Sequence, residues 1–463
     1  MKRWFPPQES GVVLRLALPI IAGMAGQIVL NLVDTAMVGR LGATPQAAVG
    51  LSSFTFLMLA TVVTCLGTGV QAIVSRREGE GERQAAAAAL DTGLCLSAAI
   101  GLPMGYLLAQ ATPALFELLS DDPEVIYGND IYSGGSEYLA IRLLALGVLG
   151  ANFCFRGFYN GIGRSGVYMV SIVLIQALNI LFNWIFIFGN LGAPVLEVRG
   201  AAIASVTAQV VGTCFYTFLT LLQADVRRDY QPFRLKRLRS KYFTSLARLA
   251  WPDAIRSAAV LISMTLFLKL HGEVSTHSLA AGTILLNIGS AGFLVALGMG
   301  FAGATLVGQA LGRGQPGEAR GLVWLGIRLC LLILLPAVIA VAIWTVPILK
   351  VFSQDPITIT IATPALRLFT AIAMANVVPI VLMHSLLGAG ETRWVAKVQI
   401  AQMYMLMLPL AALLGLWLPQ TLGYQSDTAA VFGLWTGLAL SRALIALAVV
   451  PRFQGDRWER VAL

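Results

Sequence analysis

The first residue of this chain that could do chemistry is an aspartate inside an apolar run. Between Val12 and Gly39, Gln27, Asn31 and Asp34 fall at i, i+4 and i+7, so on a helix all three share one face. That face cannot look at lipid, because an ionised carboxylate costs at least a few kcal/mol in hydrocarbon. Pro19 lies about two turns before Gln27, where its missing N–H and its ring would bend the helix. A bendable helix with a titratable group is suited to a moving proton or cation. The other reading leaves Asp34 solvated at the outer end of the span, beside Arg40. At about 1.5 Å per residue it stands roughly 30 Å from Val12, in the outer part of a bilayer.

Such a residue needs membrane-spanning elements around it. The 463 residues are 57% hydrophobic and 12% charged, with a mean hydropathy of +0.78, far too apolar for an ordinary soluble protein. The apolar stretches reach about twenty residues or more without the alternation of barrel strands, so the spans are helices. About twelve are expected, near residues 12–36, 46–74, 87–112, 135–158, 167–188, 200–223, 250–269, 279–308, 321–345, 362–386, 395–417 and 429–450. No small-residue cleavage site follows a short apolar core, so the first span is expected to stay as an anchor.

The basic stretch 224–249 is the natural boundary, giving an N-terminal six-helix lobe (1–223), a cytoplasmic linker (224–249) and a C-terminal six-helix lobe (250–463). The halves repeat weakly. Leu66-Gly-Thr-Gly-Val returns as Leu297-Gly-Met-Gly-Phe, and Asn160-Gly-Ile-Gly-Arg-Ser as Leu387-Gly-Ala-Gly-Glu-Thr. Six spans per half is an even number, so the expected pseudo-two-fold axis runs along the membrane normal. The fold class is therefore all-α integral membrane, two six-helix bundles with a route between them.

The net charge of +9 could suggest nucleic acid, but the basic residues lie mostly in loops. The positive-inside rule explains them, putting both termini in the cytoplasm and leaving no nucleic-acid partner. The loop from Thr112 to Tyr138 carries Glu117, Asp121, Asp122, Glu124 and Asp130 without a Lys or Arg, as a solvated outer loop would. Five cysteines fall in apolar stretches without pairing or ligand spacing, and three histidines are scattered, so no metal site or cofactor is expected. No phosphate-binding G-x-x-x-x-G-K-[ST] occurs, which argues against direct ATP drive, and no catalytic constellation marks an enzyme.

Taken together, LALPIIAGMAGQIVLNLVDTAMVGRLG, AVGLSS, FRGFYNGIGRS and LALGMGFAGATLVGQALGRGQPGEAR resemble the multidrug and toxic compound extrusion (MATE) family over nearly the whole chain. The resemblance is to its DinF-like branch, where the proline marks a bend in the first helix and the aspartate is the proton-linked group. Those positions here are Pro19 and Asp34, with Gln27 between. Where the NorM-like branch has acids in its second half, this chain has Val260 and Asn376. In the fifth span Gln176, Asn179 and Asn183 fall at i, i+3 and i+7 on one face. Asn179 matches the branch, while Asn183 stands where an aspartate is often found. An amide there keeps hydrogen bonding but removes a titratable proton. Ser205 fits a hydroxyl position of the sixth span. Asn152 in the fourth either lines the N-terminal cavity, as the family pattern implies, or joins helices through its amide.

The resemblance implies a secondary antiporter of the inner membrane that exports amphipathic, mostly cationic drugs in exchange for protons, as a monomer among lipids. Sodium is the rival ion, since a carboxylate with amide oxygens also suits a hard cation. A flippase of lipid-linked precursors is the rival activity.

Overall fold

A computed structural model describes residues 4–119, 131–234, 238–421, 423 and 426–461. In hydrocarbon every backbone polar group must be satisfied within its own segment, and the described chain is accordingly helical. The helices are α1 (Pro7–Gly39), α2 (Ala43–Gly79), α3 (Arg83–Gln110), the short α4 (Thr112–Leu119), α5 (Ile131–Leu144), α6 (Leu146–Gly161), α7 (Ser165–Phe186), α8 (Glu197–Leu222), α9 (Ser240–Val274), α10 (Thr276–Gly312), α11 (Pro316–Ile343), the short α12 (Thr345–Phe352), α13 (Pro356–Gly388), α14 (Thr392–Thr421) and α15 (Asp427–Gln454). Eleven of these are long and apolar enough to cross a membrane. The expected fourth span is a pair, α5 and α6, bent by 51° at Ala145, and completes twelve. Most of the acidic loop after α4 lies outside the described residues.

Contacts divide the chain into one unit of residues 22–254 and another of 1–21 with 255–462. The first half of α1 therefore groups with the later helices, where the sequence reading had put it with the earlier ones. The division falls just after Pro19, although α1 continues through that proline. The linker is also shorter than expected: helix resumes at Ser240, so residues 240–249 are the first turns of the seventh span.

Within each unit the repeated glycine motifs are helix seams. In the first, a Cβ on Gly157 would stand 2.2 Å from the Gly67 carbonyl oxygen, so α2 and α6 meet backbone to backbone. In the second, a Cβ on Gly388 would stand 2.3 Å from the Ala304 oxygen, and α10 and α13 meet in the same way. The turns that follow are alike too, with Gly163 at φ 79° and Gly390 at φ 92°, where a Cβ would be strained.

Two π-helical runs interrupt α14, at Gln402–Met407 and Leu413–Trp417. Each leads into a proline, Pro409 or Pro419. A proline ring crowds the carbonyl four residues back and offers no N–H, and a widened turn accommodates both defects.

The linker is tied to the first unit by charge. Asp91, 4% exposed on α3, accepts the amides of Phe233 at 2.8 Å and Arg234 at 3.1 Å. Asp91→Ala orphans both amides and should lower stability by about 2 kcal/mol. Limited proteolysis should then cut residues 224–239 faster than in the native chain; equal cutting would mean the anchor is not formed in the folded protein.

In the second unit Asp355 caps α13. The Thr358 hydroxyl first, then the Thr358 and Ile357 amides, hold its carboxyl down to about 2 from 3.8, with His277 also adjacent. A depressed carboxyl stabilises the fold above its unfolded value, and that contribution fades as pH falls from about 4 to about 2. The difference in melting temperature between native protein and Asp355→Ala should narrow over that window. A constant difference would contradict the charged cap.

Candidate functional site

The polar cluster of the first unit grows from the spacing on α7. Asn179 and Asn183, one turn apart, lie on one stripe of a helix whose surroundings are apolar. Asn183 is fully buried, and its Nδ2 donates to Asp34 Oδ1 on α1. The same Nδ2 reaches Asn179 Oδ1 at 3.3 Å, and Asn179 Nδ2 donates to Ser205 Oγ on α8 at 3.1 Å. A single chain of side chains thus links three helices, from carboxylate to amide to amide to hydroxyl. Close approach of α7 and α8 permits it: a Cβ on Gly200 would stand 2.4 Å from the Phe186 oxygen.

The arrangement holds one titratable carboxyl and one opening. Asp34 accepts from an amide N–H, a pairing that suits an ionised carboxylate. Asn183 Oδ1 is buried beside it with no hydrogen-bond partner among the described residues. A group that brought a donor or a positive charge into that space would satisfy it.

Other residues singled out by spacing fall elsewhere. Asn152 on α6 gives Nδ2 to the Gln209 carbonyl at 3.0 Å and takes the Thr213 hydroxyl on its Oδ1 at 3.1 Å, so it bridges to α8 in a separate cluster. Gln209 Oε1 is buried there without a partner. Gln27 is exposed and Gln176 half-buried, and neither forms a hydrogen bond among the described residues. The side chain of Asn31 lies outside the described residues.

Arg142 was not anticipated. It sits on α5 just before the bend, in the same unit as Asp34. The guanidinium lies 4.1 Å above the Phe56 ring and donates to the Tyr138 hydroxyl at 3.1 Å. An arginine within an expected span was the available signal.

The second unit encloses a cavity of about 460 Å³, with Val260 and Asn376 among its lining residues and no acid. Among the described residues no group of three or more His, Cys, Asp or Glu could hold a metal ion.

The MatE family profile matches residues 19–185 and 252–413. The chain belongs to the MatE family. That makes it a membrane transporter and not an enzyme. It is 24% identical to a probable multidrug resistance protein NorM of Thermotoga maritima, over all of this chain and 97% of that one. It is 29% identical to one from Pseudomonas aeruginosa, over 96% and 89%. A solved MOP superfamily transporter from Pyrococcus furiosus superposes with a TM-score of 0.84 at 21% identity, covering 96% and 95% of the two chains. At that identity the likeness speaks for the fold alone. It agrees with the helical architecture described above.

The Asp34–Asn183 bond can be measured. In unfolding experiments on Asp34→Ala, Asn183→Ala and the double variant, the two sites should couple by about 1.5–3 kcal/mol, the range for a hydrogen bond to a charged group. Additive effects would mean that the pair is not formed.

Proposed function

We propose that this transporter is a proton-coupled antiporter that exports amphipathic, mostly cationic organic compounds across the inner membrane by alternating access, with Asp34 as the coupling group and both termini cytoplasmic. The observation that carries the reading is the bond from Asn183 Nδ2 to Asp34 beside the unpartnered Asn183 Oδ1. While Asp34 is ionised it holds the amide through its N–H and offers negative charge to an organic cation. Once protonated, it needs an acceptor for its own O–H, and rotation of the Asn183 amide brings Oδ1 to it. Protonation therefore breaks the pull on Asn179 and Ser205 and removes the charge that held the cation. Proton and drug favour different states of one network, and linkage couples them.

The relatives named as multidrug resistance proteins support the substrate class. The first helix supports a DinF-like mode, since Pro19, Gln27 and Asp34 are present while Val260 and Asn376 replace acids of the other branch. A proton suits the site better than sodium because Asn183 presents an N–H to the carboxylate, where a cation would draw an oxygen.

Proteoliposome export of tetraphenylphosphonium under an imposed pH gradient, with and without sodium, tests this. Proton-driven export should fall by at least about tenfold in Asp34→Asn, as loss of an interaction made in only one state requires. Undiminished coupled export in the variant, or export driven by sodium alone in the native protein, would overturn it.

A further inference from the structure

The cavity of the second unit contains a charge that nothing in the fold answers. Its walls are apolar, with Met264, Phe293, Phe369 and Trp435 among them. Trp435 is held rigidly. Its Nε1–H donates to His271 Nε2 at 3.1 Å, so that nitrogen is an acceptor, and the ring's proton sits on Nδ1, facing the Phe267 carbonyl at 3.0 Å. Phe267 and Phe369 meet the indole edge-on, with centroids 5.8 and 5.0 Å away. A fixed aromatic wall around about 460 Å³ is within the size range of pockets for drug-sized molecules.

Arg442 opens onto this space from roughly midway along α15. It has no hydrogen-bond acceptor and no ion-pair partner among the described residues, and the lining contains neither Asp nor Glu. Gln399 is a polar lining residue with a tie to a second arginine. Its Oε1 accepts from Arg256 Nη1 at 2.8 Å, which sets a second guanidinium, 9% exposed, behind the wall. An arginine at such depth is costly unless a partner meets it. A structural arginine would be expected to have its acceptors from the fold, as Arg452 does from Glu391 at 2.6 Å in this same unit.

We infer that this cavity binds amphipathic organic anions, the carboxylate or sulfonate on Arg442 and the apolar body against Phe369 and Trp435. The planar guanidinium matches such a group in two parallel hydrogen bonds. Aromatic faces alone would also welcome cations, but Arg442 repels them. The site does not involve Asp34 and goes beyond the export of cations proposed above.

The test uses full-length protein in nanodiscs of zwitterionic lipid, with radiolabelled 2-naphthoate and the similarly sized cation (2-naphthylmethyl)trimethylammonium as probes in equilibrium dialysis. Naphthoate should bind the native protein. Arg442→Gln should weaken it by about tenfold or more, and Arg442→Lys by less, as for loss or retention of a charge-assisted contact. The ligand-free melting temperature of Arg442→Gln should hold or rise, because an unanswered charge has gone; a purely structural arginine would lower it. Asn376→Glu, which adds a carboxylate to the same wall, should expel naphthoate and admit the cation. Asp34→Asn should leave naphthoate binding unchanged, which separates this outcome from any failure of coupled export. Native protein that does not bind naphthoate, or Arg442→Gln that binds it within a factor of two of native, would overturn the inference.

Discussion

A charge inside hydrocarbon must be answered by a partner or by water, and this constraint shapes both units of the protein. Asp34 is answered by an amide, and the amide by another amide and a hydroxyl, so one chain of hydrogen bonds joins α1, α7 and α8. Asn183 is fully buried there, so its amide has no bulk water to turn to. In the proposed coupling, changing the proton count on Asp34 changes a three-helix contact, not one bond. A surface carboxylate with water at hand would transmit nothing comparable.

Much of the architecture was readable from hydropathy, because length and apolarity are nearly all that a spanning helix needs. The start of the seventh span was misplaced by ten residues, since helix α9 begins at Ser240 within the basic stretch that was read as linker. Charged residues end a hydropathy window without ending a helix. The bend at Ala145 was not legible either: no proline marks it, and the glycines nearby serve packing against other helices. The repeated glycine motifs were visible as a pattern. Their use as backbone seams follows only from distances such as that between Gly157 and the Gly67 carbonyl.

The site was legible where spacing along one helix decides it, and not where partners come from different helices. Asn179 and Asn183 share a stripe by arithmetic, and the structure joins them to Asp34 and Ser205. Asn152 has the right residue type but faces Gln209 and Thr213. Arg142 and Arg442 escaped notice because single arginines in apolar runs carry no motif, and their neighbours are fixed by tertiary packing alone. Both are informative for the same physical reason as Asp34: the bilayer makes each charge expensive to keep.

The two arginines also show how different answers to that cost separate structure from function. Arg142 has a face of Phe56 beneath it and the Tyr138 hydroxyl beside it, so the protein itself supplies much of what water would. Arg442 has no such support among the described residues, and its cavity is walled by groups that cannot supply it. A charge that the fold leaves unanswered can be answered by a solute, and the contrast with Arg142 indicates that in Arg442 the missing partner is a ligand and not a neighbouring side chain.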